Sequence, residues 1–227
     1  AKKIICVLDE NSVDDDRWHT GKNYQIDNYK FIINQLLSNN DLGVIFKPKV
    51  SFTLRKRLGQ NSVLLDEALK TKRCFIYSDD KQRSTSVSPL IAALSSDLVI
   101  HTHLSAGTGA IECAQKNIPT IMVNREMAIG SKLAELPKNK IVFNSIENAI
   151  DAFNDHLFFN KPIEGFGDWS KYIYEFDPFN DNKGAYRIGT YLKNIIEGYN
   201  SSMKKDDILV NASDNYAKIW GKDKVIY

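Results

Sequence analysis

The chain lacks three features that would have placed it in a specialised class of proteins. No apolar run approaches the length of about 18 residues that a membrane-spanning helix needs, and no signal peptide is predicted before the first strand. Its three cysteines are odd in number and have no paired spacing, which argues against a disulfide framework or a zinc site. A net charge of only +2 gives no reason to expect nucleic-acid binding. The sequence therefore predicts a globular protein of the cytoplasm, or one attached peripherally to the inner face of the cell membrane.

Short apolar runs alternate with helical patterns along most of the chain. Runs of this kind are typical of parallel strands that are covered on both faces, so the predicted fold class is α/β, a doubly wound, Rossmann-like parallel sheet. A proline at the first helical position, Pro89, and a capping residue, Asp27, are expected to begin two of the helices. The predicted strands are 3–8, 43–47, 73–78, 97–101, 119–123 and 140–143, and the predicted helices are 28–39, 62–71, 88–96, 107–116, 131–136 and 145–158.

The composition changes after about residue 160. Residues 1–160 are predicted to form the Rossmann-like domain, a nucleotide-sugar donor-binding domain on the resemblance described below. Residues 161–227 form an aromatic-rich segment followed by two amphipathic helices, 184–199 and 204–221, which are expected to pack on the same domain.

The segment HTHLSAGTGAIECA, residues 101–114, is predicted to be a strand–loop–helix turn that holds an anionic group. Gly107 lets the backbone approach a ligand, Ser105 and Thr108 offer hydroxyl donors, and the first turn of the helix presents free N–H groups. Glu112 is positioned to accept hydrogen bonds from a ribose. The alternative is a tight turn without a ligand, in which Glu112 is an exposed helix residue. The segment contains neither a Walker sequence nor a GxGxxG fingerprint.

His101 and His103 flank Thr102 in the same segment and are the candidate catalytic residues. An H-x-H pair on an extended segment can bind a metal, but no third ligand with suitable spacing is present, so no metal site is predicted. One histidine is expected to pack at the strand end while the other faces the ligand.

Two further segments are expected at the carboxyl edge of the sheet, where open α/β sheets bind their ligands. Lys47 and Lys49 flank Pro48 after the second strand and suit a phosphate or a carboxylate, although ordinary surface lysines are an equal alternative. The polar loop 9–24 follows the first strand, and one of its cationic or aromatic side chains is expected to contact the ligand. The candidates are Arg17, Trp18, His19 and Lys22.

Several segments together resemble the C-terminal, donor-binding domain of GT-B glycosyltransferases of bacterial surface-polysaccharide biosynthesis, related to Kdo transferases and CDP-glycerol glycerophosphotransferases. They are KPK, SPLIAALSSDLVIH, S-x-G-T-x-x-x-E before NIPTIMV, and the closing DPFNDNKGAYRIGTYLKNIIEGY. The resemblance covers nearly the whole chain.

The resemblance implies a metal-independent transfer of a sugar from a nucleotide-activated donor to a glycan acceptor, without a further cofactor. Ser105, Gly107 and Thr108 match its phosphate-binding turn, Glu112 its ribose-binding acid, and Lys47 with Lys49 its basic pair. The paired lysines favour a CMP-linked acidic sugar over a neutral one.

The resemblance also implies a second, N-terminal domain that carries the acceptor site and the catalytic base, supplied by a longer protein or by a partner chain. Two alternatives stay open. One is a sugar-nucleotide epimerase of the same fold, whose bases would have to come from Glu112, Glu126 or the Asp9–Glu10 pair. The other is a nucleotide-binding module without chemistry of its own.

Overall fold

The computed structural model describes residues 1–9, 22–77, 87–105, 107–125 and 127–224, with the side chain of Lys22 excepted. These residues form two compact units, Ala1–Pro178 and Phe179–Tyr227. Within the described ranges, no helix combines the length and the apolar character needed to cross a membrane.

The first unit is built on a sheet of six strands, all parallel, which confirms the predicted doubly wound fold. The order in the sheet is β3-β2-β1-β4-β5-β6, so the chain builds outward from β1 to one edge and then returns to add β4 on the other side of β1. The strands are β1 (Lys3–Leu8), β2 (Leu42–Lys47), β3 (Cys74–Ile76), β4 (Leu98–His101), β5 (Thr120–Val123) and β6 (Val142–Phe143).

Helices cover both faces of the sheet, and an α-helix is present at each predicted position except 131–136. They are α1 (Lys22–Ser38), α2 (Leu54–Leu58), α3 (Ser62–Lys70), α4 (Pro89–Ala93), α5 (Thr108–Ala114) and α6 (Ile146–Leu157). Pro89 does occupy the first position of α4, and the Ser88 hydroxyl caps this helix by accepting the N–H of Leu90. Residues Lys132–Glu135 form a 3-10 turn where an α-helix was expected.

The predicted start of α1 is wrong. The helix begins at Lys22, so Asp27 lies inside it and forms an ion pair with Arg125 at 3.7 Å instead of capping the first turn. The buried residues of the added turns are Tyr24 and Gln25, so a polar side chain interrupts the apolar periodicity that marks a helix in sequence.

Strand side chains alternate between the two faces of the sheet, one of which carries a single large apolar cluster and the other two smaller ones. The larger cluster packs the strands against α1, α3 and α6, whereas the opposite face meets α4 and α5. Because the central strands are buried on both faces, their sequences are apolar along most of their length. Strand residues of the larger cluster are Ile5, Val7, Leu42, Val44, Phe46, Cys74, Leu98, Ile100, Ile121, Val123 and Phe143, and those on the opposite face are Cys6, Leu8, Val99, Met122 and Val142.

The aromatic segment after α6 belongs to the first unit rather than to the closing helices. The indole of Trp169 is buried and donates to the Thr120 carbonyl at 2.7 Å. The backbone N–H of Thr120 in turn donates to the carbonyl of Gly167. An added Cβ at Gly167 would lie 2.8 Å from the Thr120 nitrogen, which explains the glycine at this close approach.

The second unit is a hairpin of two helices, α7 (Gly184–Asn200) and α8 (Lys205–Trp220). The helices approach closely where Gly198 faces Ile208, since a Cβ on Gly198 would be 2.8 Å from the isoleucine. Aromatic contacts between Tyr191, Tyr216 and Trp220 hold them together further along.

Candidate functional site

The candidate site lies where β1 and β4 pair, because the strand order reverses at this point. Helices that follow the two strands cover opposite faces of the sheet, which leaves a crevice beyond their carboxyl ends. Leu8 pairs with His101 in the register of these strands, and the N–H of Thr102 donates to the Leu8 carbonyl at 3.1 Å. The residues just after the two strands, Asp9 after β1 and His103 after β4, therefore both lie at the carboxyl edge of the sheet.

A row of three side chains crosses the sheet at this edge. Leu8 pairs with Lys47 on one side and with His101 on the other, so the three side chains point to the same face, that of α4 and α5. The Lys47 residue is only 7% exposed, and its ammonium donates to the Pro48 carbonyl at 3.2 Å. The row places one buried cation two strands from His101.

The two lysines of the KPK segment occupy different environments. Lys47 is the last residue of β2 and is buried, whereas Lys49 is exposed and its backbone N–H donates to the Asp9 carboxylate at 2.6 Å. Only Lys47 is held in place by the sheet itself.

Asp9 carries a buried carboxylate whose hydrogen-bonding capacity is engaged by the fold. Besides the Lys49 N–H, it accepts the Tyr29 hydroxyl at 2.8 Å and lies 3.6 Å from the guanidinium of Arg57. Arg57 also donates to Gln25 and to the Val50 carbonyl. Burial, and next the Asp9 charge, raise the pKa of Tyr29 well above its ordinary value. The network fixes α2 and the loop after β2 against β1.

Both histidines of the H-x-H pair are buried, and His101 is the one whose ring has a hydrogen-bond partner among the described residues. Its Nδ1 lies 2.6 Å from the His103 carbonyl, so this nitrogen carries the proton and donates. The 3.4 Å approach of the His103 backbone N–H to the same nitrogen is then not a hydrogen bond. Tyr24 secures the intervening residue, because its hydroxyl donates to the Thr102 carbonyl at 2.9 Å.

His103 is fully buried, and its ring nitrogens have no hydrogen-bond partner among the described residues. The imidazole packs on the Tyr24 ring with centroids 4.8 Å apart. Burial, and next the charge of His101, lower the pKa of His103 from 6.5 to about 3, so the imidazole is neutral at physiological pH.

The turn between β4 and α5 is present, but its glycine has a packing role. A Cβ on Gly107 would lie 2.3 Å from Leu133 Cδ1 and 3.0 Å from Met122 Cε, so close packing alone requires glycine there. Ser105 and Thr108 are exposed at the start of the seven-residue helix α5. The role of these residues in holding a ligand stays a prediction.

Glu112 lies on α5 and contacts the neighbouring helix. One of its oxygens accepts the Ser88 hydroxyl at 2.9 Å, and that hydroxyl in turn caps α4. Glu112 is half-buried, whereas the alternative without a ligand predicted an exposed residue. Its position at the crevice is compatible with a second partner.

Arg17 and the other loop candidates, Trp18 and His19, lie outside the residues that the structure describes, as do Glu10 and Glu126. The side chain of Lys22 is also outside them.

Sequence reasoning missed a cationic cleft of about 310 Å³ at the carboxyl ends of β5 and β6. Arg125 and Lys138 line it together with Asn124 and Asn144, each of which directly follows a strand. The Arg125 guanidinium lies 4.7 Å from the centroid of the Tyr24 ring. Its position two residues after the end of β5, at the ligand-binding edge, was the signal that could have identified Arg125.

No family model, no curated protein and no solved structure matches the chain. What the site does must therefore be argued from its own residues.

Two kinds of chemistry have no support in these residues. Burial raises the pKa of the Cys6, Cys74 and Cys113 thiols to about 12, so none of them is a thiolate nucleophile. In the described ranges, no three or more His, Cys, Asp or Glu side chains group in a way that could hold a metal ion.

Replacing Asp9 by Asn should leave the buried Arg57 charge without its counter-charge. We expect the free energy of unfolding in urea to fall by about 3–5 kcal/mol. Asp66→Asn is the matched control. Asp66 pairs at 2.6 Å with Arg55, which lies on the same helix as Arg57, but this pair is on the exposed surface. This control should lose less than about 1 kcal/mol. Equal losses in the two variants would contradict a buried anchor.

The neutral His103 predicts a pH dependence of stability. Between pH 6.5 and about 3 the unfolded chain binds a proton that the folded state does not, so stability decreases as the pH falls through this window. The slope should be about 1.4 kcal/mol per pH unit. Denaturation of the wild type and of His103→Phe between about pH 4 and pH 7 measures this slope. The free energy of unfolding of the variant should lack this pH-dependent contribution. If the free energies of the two proteins change with pH in parallel, His103 is not held neutral.

Proposed function

We propose that the chain binds the nucleotide of an activated sugar and serves as the donor-binding domain of a glycosyltransferase of bacterial surface-polysaccharide biosynthesis. The observation that carries this proposal is the position of the HTHLSAGTGAIE turn. It follows β4 at the reversal of strand order, beside the end of β1. In open sheets of this order the ligand occupies that crevice.

Cationic side chains along the same edge suit an anionic donor. Lys47 lies at the end of β2, and Arg125 and Lys138 line the cleft after β5 and β6. Positive side chains spread over three strand ends can hold a phosphate and, beside it, the carboxylate of an acidic sugar. The same groups would stabilise the negative charge that develops on the leaving nucleotide.

Glu112 is the proposed ribose contact. A carboxylate has two oxygens, and the Ser88 hydroxyl is bonded to one of them. That bond fixes the orientation of the side chain, so that the carboxylate is pre-organised to accept the hydroxyls of a ribose at the carboxyl edge.

The acceptor site and the catalytic base are proposed to come from another domain or chain. Asp9 is not available as a base, because its oxygens accept from Tyr29 and Lys49 beside Arg57. This engagement also weakens the epimerase alternative, which depends on carboxylates free to exchange protons. Free, buried cysteines are compatible with a reducing cytoplasm, the location proposed for this binding step.

A thermal-shift screen against CMP, CDP, UDP, GDP and their sugar conjugates tests the proposal. A ligand present at 100 times its Kd should stabilise the folded state by about 2.7 kcal/mol, which raises the Tm by roughly 5–10 °C. Lys47→Met should raise the Kd of that ligand, whereas Lys70→Met, at the exposed end of α3, should leave the Kd unchanged. If no nucleotide shifts the Tm, the proposed function is wrong.

The ribose role of Glu112 is tested by comparing Glu112→Ala with Ser88→Ala. Both variants lose the bond between the two side chains, and Ser88→Ala also loses the α4 cap at about 1 kcal/mol of stability. Only Glu112→Ala should raise the Kd of the nucleotide, by about tenfold or more, since it removes a charged acceptor. Equal affinity changes, measured by calorimetry, would show that Glu112 acts only by packing against α4.

A further inference from the structure

Two buried polar side chains in the first unit, His103 and Asn28, contain atoms without hydrogen-bond partners among the residues described. The ring nitrogens of His103 and the amide nitrogen and oxygen of Asn28 have no hydrogen-bond partner within the part of the chain that the structure describes. Both residues are at most 2% exposed. Folded proteins almost always pair such atoms, and those left unpaired in a native structure require an explanation.

The neighbouring polar groups do not share this deficit. The Tyr24 hydroxyl bonds to the Thr102 carbonyl, His101 to the His103 carbonyl, and Asp9 to Tyr29. The edge is thus a well-paired network in which two side chains lack partners, rather than a loosely packed region.

Tyr24 contacts one of the two unpaired side chains and shares a helix with the other. The Tyr24 ring packs against the His103 imidazole at 4.8 Å. Asn28 is one turn further along α1, where residues four apart lie on the same side of a helix. Both are buried, so α1 presents Tyr24 and Asn28 on one face, and that face contacts the end of β4 at His103.

The chemistry of the pair selects the kind of group that can complete it. A neutral imidazole offers one donor and one acceptor, and the amide of Asn28 offers both as well. Neither side chain carries a charge to balance a buried phosphate, whose desolvation would then be uncompensated. A neutral group with its own donor and acceptor fits all of these atoms.

We propose that His103 and Asn28 form a subsite that hydrogen-bonds a neutral part of the ligand, a nucleobase edge or a sugar hydroxyl, and not its phosphate. This subsite rests on the proposed function and assigns a division of labour within it. Lys47 and the cations of the β5–β6 cleft bind the charged groups of the ligand, while His103 and Asn28 hydrogen-bond an uncharged group. The free protein then holds two side chains unpaired until the ligand arrives.

Two variants test the subsite, each retaining shape while removing the polar atoms: His103→Phe and Asn28→Leu. Because they remove unpaired atoms, the Tm of the free protein should stay equal or rise. His101→Phe is the matched control, since it deletes a histidine that has a partner and leaves the His103 carbonyl without its donor; its Tm should fall.

Affinity is measured by calorimetry with cytidine, CMP, CDP, uridine, UDP, guanosine, GDP and the corresponding nucleotide sugars. In both variants we expect Kd to rise by about tenfold or more. An equal rise for a nucleoside and its nucleotides assigns the subsite to the base. A rise confined to the nucleotide sugars assigns it to a sugar hydroxyl.

Three results would overturn the subsite while leaving the proposed function intact. They are unchanged Kd values in both variants, a loss of affinity that grows with the number of phosphates, and a fall in Tm of the free variants without a change in Kd. The last is the result expected if a buried water completes the pair. Absence of nucleotide binding by the wild type contradicts the proposed function itself, and the subsite with it.

Discussion

The pairing of β1 with β4 is the constraint on which the rest of the first unit depends. Every other strand is added outward from these two, and the direction of addition reverses between them. The register that places Leu8 opposite His101 decides which residues leave the sheet at the crevice. A shift of this register would separate the end of β1 at Leu8 from the end of β4 at His101.

The buried carboxylate of Asp9 holds the loop after β2 in place at this edge of the sheet. By accepting from Lys49 and lying beside Arg57, it ties the loop after β2 to the end of β1. The loop cannot then move without breaking a buried charge pair, which is strongly unfavourable once one partner is lost. Lys47 is held immediately before this anchored loop. The Asp9 carboxylate, a candidate base in the epimerase alternative, is thus a structural group that positions the proposed phosphate contact.

Most of the fold could be predicted because it is encoded locally. Strands buried on both faces must be apolar throughout, and Ser88 with Pro89 marks the start of a helix by its own chemistry. The start of α1 could not be predicted in this way. Its first turns bury Tyr24 and Gln25, whose partners are the Thr102 carbonyl after β4 and Arg57 of α2, far away in sequence.

The sequence predicted which segments reach the carboxyl edge of the sheet, but not the interactions that their side chains make there. The end of β4 and Lys47 lie at the expected edge, yet the partners of Asp9 and the isolation of His103 depend on contacts between distant segments. Gly107 illustrates the limit: a glycine in a turn suggests close approach to a ligand, whereas the structure shows that Leu133 and Met122 already require it. Sequence alone cannot separate these two reasons.

Amide hydrogen exchange with and without the tightest-binding nucleotide tests the central claim most directly, because it locates the ligand on the sheet. The account predicts added protection at the carboxyl edge, in residues 101–112 and around Lys47, with no change at the amino edge beside Trp169. Protection that appeared at the Trp169 edge, or in the α7–α8 hairpin alone, would contradict a nucleotide site at the β1–β4 crevice.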